Sequence, residues 1–148
     1  MNTKHIATGL AVLGGAFIAY IGACYLLDPQ ATASGFGLPS WPRREQDGTG
    51  FLAVKGVRDL GLALVVFALL FTGQRKALGW AFLAMAFVPA GDMAIVLSSG
   101  GSAATALGVH GATAVAVAVT AVLLLRERAT GQPQGVRPTD RNRSSRVS

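Results

Sequence analysis

Four long apolar runs dominate the sequence, and they constrain the fold more than any other feature. They cover residues 6–27, 51–71, 77–97 and 103–125. Each run has about 20 residues, the length that an α-helix needs to cross the roughly 30 Å hydrocarbon core of a bilayer. Because backbone groups in lipid must be hydrogen-bonded within the chain, such runs are expected to be helical. The sequence therefore predicts an all-α integral membrane protein built as a four-helix bundle.

The composition supports a membrane protein and excludes several other classes. Of the 148 residues, 51% are hydrophobic and only 14% are charged, whereas soluble domains carry about 25% charged residues. A single cysteine, Cys24, excludes an intrachain disulfide framework and a cysteine-based zinc site. His5 and His110 lack the spacing of metal ligands, and no phosphate-binding glycine motif or nucleophile elbow is present. We expect no metal and no cofactor.

The positions of the basic residues predict the orientation. With four spans, both termini and the second loop lie on one side, and the first loop carries only Arg43 and Arg44. Basic residues collect on the cytoplasmic side of membrane proteins, so both termini are predicted to be cytoplasmic, and nucleic-acid binding is not expected. Abundant Ala, Gly and Arg indicate a bacterium, and hence the bacterial cytoplasmic (inner) membrane. The basic residues on the terminal side are Lys4, Arg75, Lys76, Arg126, Arg128, Arg137, Arg141, Arg143 and Arg146.

Two parts of the chain are predicted from a change in composition. Residues 1–127 are expected to form the four-span membrane domain. Residues 128–148 are rich in Arg, Ser and Pro, which predicts a disordered basic cytoplasmic tail. This tail either binds anionic lipid or is solvated and only sets the topology. A lipoprotein-like signal ends at Cys24, but its apolar stretch is longer than the roughly 7–15 residues of a signal peptide, so we expect no cleavage.

Small residues recur four positions apart within the predicted spans. Helices in lipid pack through such small side chains, so these ridges predict close contacts inside the bundle. In the alternative interpretation, one ridge faces a second copy of the chain and forms a homodimer. The ridges comprise Ala7, Ala11, Gly15, Ala19 and Ala23; Ala86, Ala90 and Ala94; and Ala104, Gly108, Ala112, Ala116 and Thr120.

Five ionisable residues lie inside the predicted spans: Lys55, Arg58, Asp59, Asp92 and His110. A charge at the bilayer centre costs about 2.5 kcal/mol or more, so such groups are usually functional or paired. At 1.5 Å per residue, all five are expected roughly 6–12 Å below the outer surface. Lys55 and Asp59 are four residues apart and can pair, while the guanidinium of Arg58 suits the carboxylate of Asp92.

Two further features predict a cavity at this level. Pro89 cannot donate a hydrogen bond to Met85, which predicts a kink in the third span. Tyr20 and Tyr25 end the first span and are expected to line the same cavity.

The first loop contains a Gly-Phe-Gly-Leu-Pro segment followed by Trp41. Glycine and proline suit a fixed turn, and aromatic residues collect at the membrane interface. Phe36 and Trp41 therefore belong either to a lid over the cavity or to an interfacial anchor.

Four short motifs give the chain a family resemblance. They are Gly-Phe-Gly-Leu-Pro at residues 35–39, Lys-Gly-Val-Arg-Asp at 55–59, Pro-Ala-Gly-Asp at 89–92 and His-Gly at 110–111. The pattern resembles that of small four-span membrane proteins of bacteria and fungi grouped as a domain of unknown function. The resemblance covers roughly residues 8–127, and it implies the four-span fold without implying a reaction.

The charged layer predicts a binding site for a lipophilic small molecule or membrane lipid. Lys55, Arg58, Tyr20, Trp41 and Phe36 are the expected ligand-binding residues. If the site is catalytic, Asp92, Asp59 and His110 would transfer protons, because neighbouring carboxylates in a low dielectric separate into acid and base. Isomerase, cyclase or hydrolase chemistry fits such groups. The alternatives are a proton-coupled transporter and a structural network that only fixes helix packing.

Overall fold

A computed structural model describes residues 3–40 and 48–127, and this part of the chain is helical and contains no strand. The predicted all-α class is confirmed. The helices are α1 (Thr3–Leu27), α2 (Pro29–Ser34), α3 (Thr49–Phe71), α4 (Arg75–Met85), α5 (Phe87–Ser98), α6 (Ala103–Thr105), a π-helical turn (Ala106–Gly111) and α7 (Ala112–Arg126).

Three helical stretches in the described part of the chain are long and apolar enough to cross a membrane. They are Thr3–Leu27, Arg75–Ser98 and Ala103–Arg126. Helix α3 has 23 residues, which is long enough to cross a membrane. It contains Lys55, Arg58 and Asp59, so it is less uniformly apolar than the other three stretches. The fourth span and the cytoplasmic termini therefore stay predictions.

Helices α1 and α3 approach each other very closely where two glycines meet. A Cβ atom added to Gly22 would lie 2.8 Å from the carbonyl oxygen of Gly56, and a Cβ atom on Gly56 would lie 2.8 Å from the carbonyl oxygen of Gly22. Only glycine fits at either position, because both obstructing atoms belong to the backbone. The glycine of the Lys-Gly-Val-Arg-Asp motif thus serves helix packing.

The apolar core lies where α1, α3, α4 and α7 meet. Of the predicted ridges, only the first contributes small residues to this core, namely Ala7 and Ala11, and larger side chains fill the space beside them. Ala104, Gly108, Ala112 and Ala116 of the last ridge are exposed instead. Its buried members are Ala7, Ala11, Val66, Leu78, Phe82, Ala121 and Leu124.

The third helical stretch is interrupted as Pro89 predicts. Since Pro89 has no N–H group, the carbonyl of Met85 lacks its usual partner four residues later. Helix α4 ends at Met85, and α5 begins at Phe87 after the single linking residue Ala86. The interruption separates the core-packed α4 from the part of α5 that carries Asp92.

The loop after α2 is docked on the turn between α5 and α6. The backbone N–H of Ser102 donates to the carbonyl of Gly37 at 2.8 Å, and Gly37 has φ +97°. A Cβ atom on Gly101 would collide with the same Gly37 oxygen. Gly37 and Gly101 therefore allow the two backbone segments to touch. The docked loop brings the Phe36 ring against His110. Trp41 lies outside the described residues, as do the predicted tail residues 128–148.

A polar clamp joins α1, α4 and the end of α7 at the opposite end of the molecule. The guanidinium of Arg75 pairs with Glu127 through Nε and through Nη2, the latter at 2.6 Å from Oε1. It also donates to the hydroxyl of Thr8 at 3.0 Å and to the carbonyl of Lys4 at 3.4 Å. Sequence reasoning assigned Arg75 to topology and missed this role, since Glu127 lies 52 residues away.

Candidate functional site

A cavity of about 470 Å³ lies between α1, α3, α4, α5, the π-helical turn and α7. Most of its lining is apolar, and its polar groups come mainly from one end. The apolar residues include Leu10, Leu13, Phe17, Ile18, Ile21, Leu62, Phe82, Met85, Val88, Pro89, Val109, Ala116 and Val117.

Four ionisable side chains line one end of this cavity: Lys55, Asp59, Asp92 and His110. The structure thus brings together four of the five residues that the sequence places in one layer. The Lys55 ammonium contacts the Asp59 carboxylate at 2.6 Å, which is the pairing expected from their i,i+4 spacing. Asp59 is buried, and the ion pair neutralises both charges.

Two aromatic rings support the Lys55 ammonium. Its Nζ atom lies 4.6 Å from the ring centroid of Tyr25 and 6.0 Å from that of Phe36. A cation within about 6 Å of an aromatic face is attracted by the ring quadrupole. Lys55 is therefore positioned by Asp59 on its own helix. The rings of Tyr25 in α1 and Phe36 in the docked loop also contact its ammonium group.

His110 reaches the cavity from the π-helical turn. Such turns displace the helical register and occur frequently at functional sites. The Nε2 atom of His110 lies 2.9 Å from the carbonyl oxygen of Phe36, and because a carbonyl can only accept, Nε2 carries the proton and donates it. The Phe36 ring also packs on the imidazole, with 4.6 Å between centroids.

The remaining nitrogen of His110 faces Asp92. His110 Nδ1 and Asp92 Oδ2 are 4.0 Å apart, which is longer than a direct hydrogen bond. Within the described part of the chain, no hydrogen bond reaches the Asp92 carboxylate. The following residue, Gly111, leaves room for α5, since a Cβ atom there would lie 3.0 Å from Met93 Sδ.

Two predicted ligand-binding residues do not line the cavity. Arg58 is exposed, and among the described residues it forms no ion pair, so the expected contact with Asp92 is absent. Successive helical residues turn by about 100°, and α3 is rotated so that Lys55 and Asp59 point inward. Tyr20 is 65% exposed on α1, whereas Tyr25 does line the cavity.

Sequence reasoning also missed part of the site. The carbonyl of Phe36 acts on His110, although only its aromatic ring was expected to contribute. A backbone carbonyl has no sequence signature, so the docked loop alone reveals this contact. Among residues 3–40 and 48–127, no group of three His, Cys, Asp or Glu side chains is placed to hold a metal ion.

Comparison with known families covers most of the chain. Residues 15–124 match the family model described as Domain of unknown function (DUF4267). The chain belongs to this family. The expected kinship with an uncharacterised family is thereby confirmed. Comparisons with curated proteins and with solved structures give no match.

The matched region of this DUF4267 protein includes the whole charged end of the cavity. Its side chains can bind a polar group by hydrogen bonds, and its apolar walls can contact a hydrocarbon body. The facing pair of Asp92 and His110 also offers two proton acceptors to a bound molecule.

Proposed function

We propose that the protein is an integral membrane protein that binds a lipophilic small molecule in the cavity. The observation that carries the proposal is an apolar cavity of about 470 Å³ with ionisable groups gathered at one end. Sites for small ligands typically measure about 300–1,000 Å³ and combine apolar walls with a few placed polar groups. The polar end would orient the ligand, and the apolar part would hold its body.

Acid–base chemistry is a narrower form of this proposal. Asp92, Asp59 and His110 line the same end of the cavity, and His110 Nδ1 is directed toward a carboxylate rather than a backbone group. A general base must reach the proton that it removes, and these positions allow a substrate between Asp92 and His110. Isomerisation of a bound lipophilic substrate would need only such proton transfers.

We also propose that α3 is the fourth membrane-crossing helix and that both termini are cytoplasmic, in a bacterial cytoplasmic membrane. Two of its three charges, Lys55 and Asp59, neutralise each other inside the molecule. Arg58 faces outward about 14 Å from the start of α3 at Thr49, and its long side chain can extend along the helix toward the headgroups. The close contact of α3 with the apolar α1 at Gly22 and Gly56 supports a shared membrane position.

Cysteine labelling tests the orientation. In a Cys24→Ala background, Ser99→Cys in the α5–α6 turn should react with an impermeant maleimide added to intact cells. Gln74→Cys, in the turn before α4, should react only after the membrane is opened. Both positions are exposed in the structure, so they form a matched pair, and the reverse labelling pattern would overturn the proposed orientation.

Filling the cavity tests ligand binding. Ala116 lines the cavity, and Ala116→Phe should lower the amount of co-purifying lipophilic molecule at least tenfold, because the aromatic ring would occupy its space. The measurement is mass spectrometry of organic extracts from purified protein, with empty detergent micelles as the blank.

Ala112→Phe is the matched control, since Ala112 is an exposed residue one turn away on the same helix and does not line the cavity. This variant should retain the wild-type amount of bound molecule. If Ala116→Phe and the wild type carry the same extractable molecules in equal amounts, the cavity is not a binding site.

A further inference from the structure

The polar end of the cavity presents two hydrogen-bond acceptors without a donor between them. Because His110 donates its Nε2 proton to the Phe36 carbonyl, the Nδ1 atom of a neutral His110 carries a lone pair that can accept a hydrogen bond. The Asp92 carboxylate is also an acceptor. His110 Nδ1 and Asp92 Oδ2 are 4.0 Å apart. A donor nitrogen about 2.8 Å from each atom would form two hydrogen bonds that make an angle of roughly 90° with each other. An ammonium group, with its N–H bonds near tetrahedral angles, fits between them.

The charges at this end favour a cation. Lys55 is neutralised by Asp59 at 2.6 Å, and Arg58 is exposed outside the cavity. Asp92 is therefore the one carboxylate in the cavity lining without an ion-pair partner closer than 4.0 Å. A carboxylate removed from water is costly unless a positive or hydrogen-bonding partner compensates it. A bound cation would supply that partner.

The rest of the cavity suits an apolar body. Thr120 lies away from the charged end and donates its hydroxyl proton to the Ala116 carbonyl at 2.8 Å. Thr32, near the docked loop, likewise donates to the carbonyl of Asp28 at 2.7 Å. The hydroxyl protons of Thr120 and Thr32 are thus bonded to backbone carbonyls, and most of the wall beyond Asp92 and His110 is apolar, which favours hydrocarbon.

We infer that the ligand is an amphiphilic amine. Its ammonium group lies between Asp92 Oδ2 and His110 Nδ1, and its hydrocarbon body fills the apolar part of the cavity. This inference rests on the proposed function, because it names the chemical class of the molecule that the cavity binds. It also separates the roles of Lys55 and His110. Lys55 pairs with Asp59, and His110 contacts the ligand.

A series of single-chain amphiphiles tests the inference. The protein is placed in phosphatidylcholine nanodiscs at about pH 8, where an ordinary imidazole is neutral and an alkylamine is protonated. Binding of dodecylamine, dodecyltrimethylammonium, dodecanol and dodecanoate is measured from the rise in Tm with ligand concentration, which follows mass action. Ala116→Phe nanodiscs correct for partition into lipid.

Dodecylamine should bind at least tenfold more tightly than dodecanoate. Dodecyltrimethylammonium carries the charge but has no N–H donor, so it should bind more weakly than dodecylamine. Asp92→Asn should remove most of the preference for the amine over dodecanol, whereas Lys76→Gln, an exposed substitution outside the cavity, should keep it.

The outcomes separate the two proposals. Equal or tighter binding of dodecanoate by the wild type would overturn the amine inference and leave ligand binding intact, and this comparison needs no variant to fold. An undiminished amine preference in Asp92→Asn would also overturn it. If no amphiphile distinguishes the wild type from Ala116→Phe, the amine inference falls, and co-purification from cells then decides the proposed function separately.

Discussion

Replacing Arg75 with Gln will lower the free energy of unfolding by about 1–3 kcal/mol, the usual cost of leaving one buried polar group without its partner. The Glu127 side chain is only 7% exposed, so it would lose its cation without gaining water. The same change also removes the hydrogen bonds to Thr8 and to the Lys4 carbonyl. Unfolding in mixed detergent micelles, followed by circular dichroism, measures the loss.

Arg58→Gln provides the matched control, because the substitution is the same and Arg58 is exposed without an ion pair among the described residues. Its effect should stay within about 0.5 kcal/mol. Arg75→Gln combined with Glu127→Gln should restore part of the stability, because the uncompensated carboxylate is then gone. Equal losses for the Arg75 and Arg58 variants would show that the clamp does not stabilise the fold.

Gly56→Ala will lower the free energy of unfolding by about 1–3 kcal/mol, as expected for a methyl group forced into a packed interface. The added Cβ atom would lie 2.8 Å from the Gly22 carbonyl oxygen and 3.0 Å from Tyr25 Cβ. Neither atom is the end of a flexible side chain, so α1 and α3 must separate. Because Tyr25 lines the cavity, binding of dodecylamine should weaken as well. The same unfolding assay measures the change in stability.

Gly61→Ala should have the opposite sign. Gly61 lies on the same helix, and a Cβ atom there meets nothing within 4 Å. Alanine in place of glycine inside a helix stabilises it by roughly 0.5–1 kcal/mol. A destabilisation of Gly61→Ala as large as that of Gly56→Ala would show that α3 tolerates no alanine for reasons unrelated to α1.

The helical class was predictable because it depends on local properties of the chain. Apolar runs of sufficient length specify helices wherever they are buried or in lipid. The Lys55–Asp59 pair follows from i,i+4 spacing on one helix, and the interruption after Met85 follows from Pro89, which lacks a donor. The ion pair and the interruption need only residues within about one helical turn, and the helical class needs only runs of about 20 residues.

The tertiary structure decided which side chains face the cavity. The rotation of α3 about its axis depends on the Gly22–Gly56 contact with α1, and it turns Arg58 outward although Arg58 lies between two inward-facing residues in the sequence. The Arg75–Glu127 clamp likewise joins residues whose proximity arises only when α4 packs on α7.

The charged layer and its Lys55–Asp59 pair were thus predictable from the sequence, but the contacts of His110 with Phe36 and Asp92 were not. The sequence alone determined the helical class, the Lys55–Asp59 pair and the presence of Asp92 and His110 in the same layer. Only the folded chain docks the Phe36 carbonyl on His110 Nε2 and directs Nδ1 toward Asp92. The reason is physical: spacing along a helix sets which neighbours share a face, whereas helix rotation and loop docking are set by contacts between distant segments.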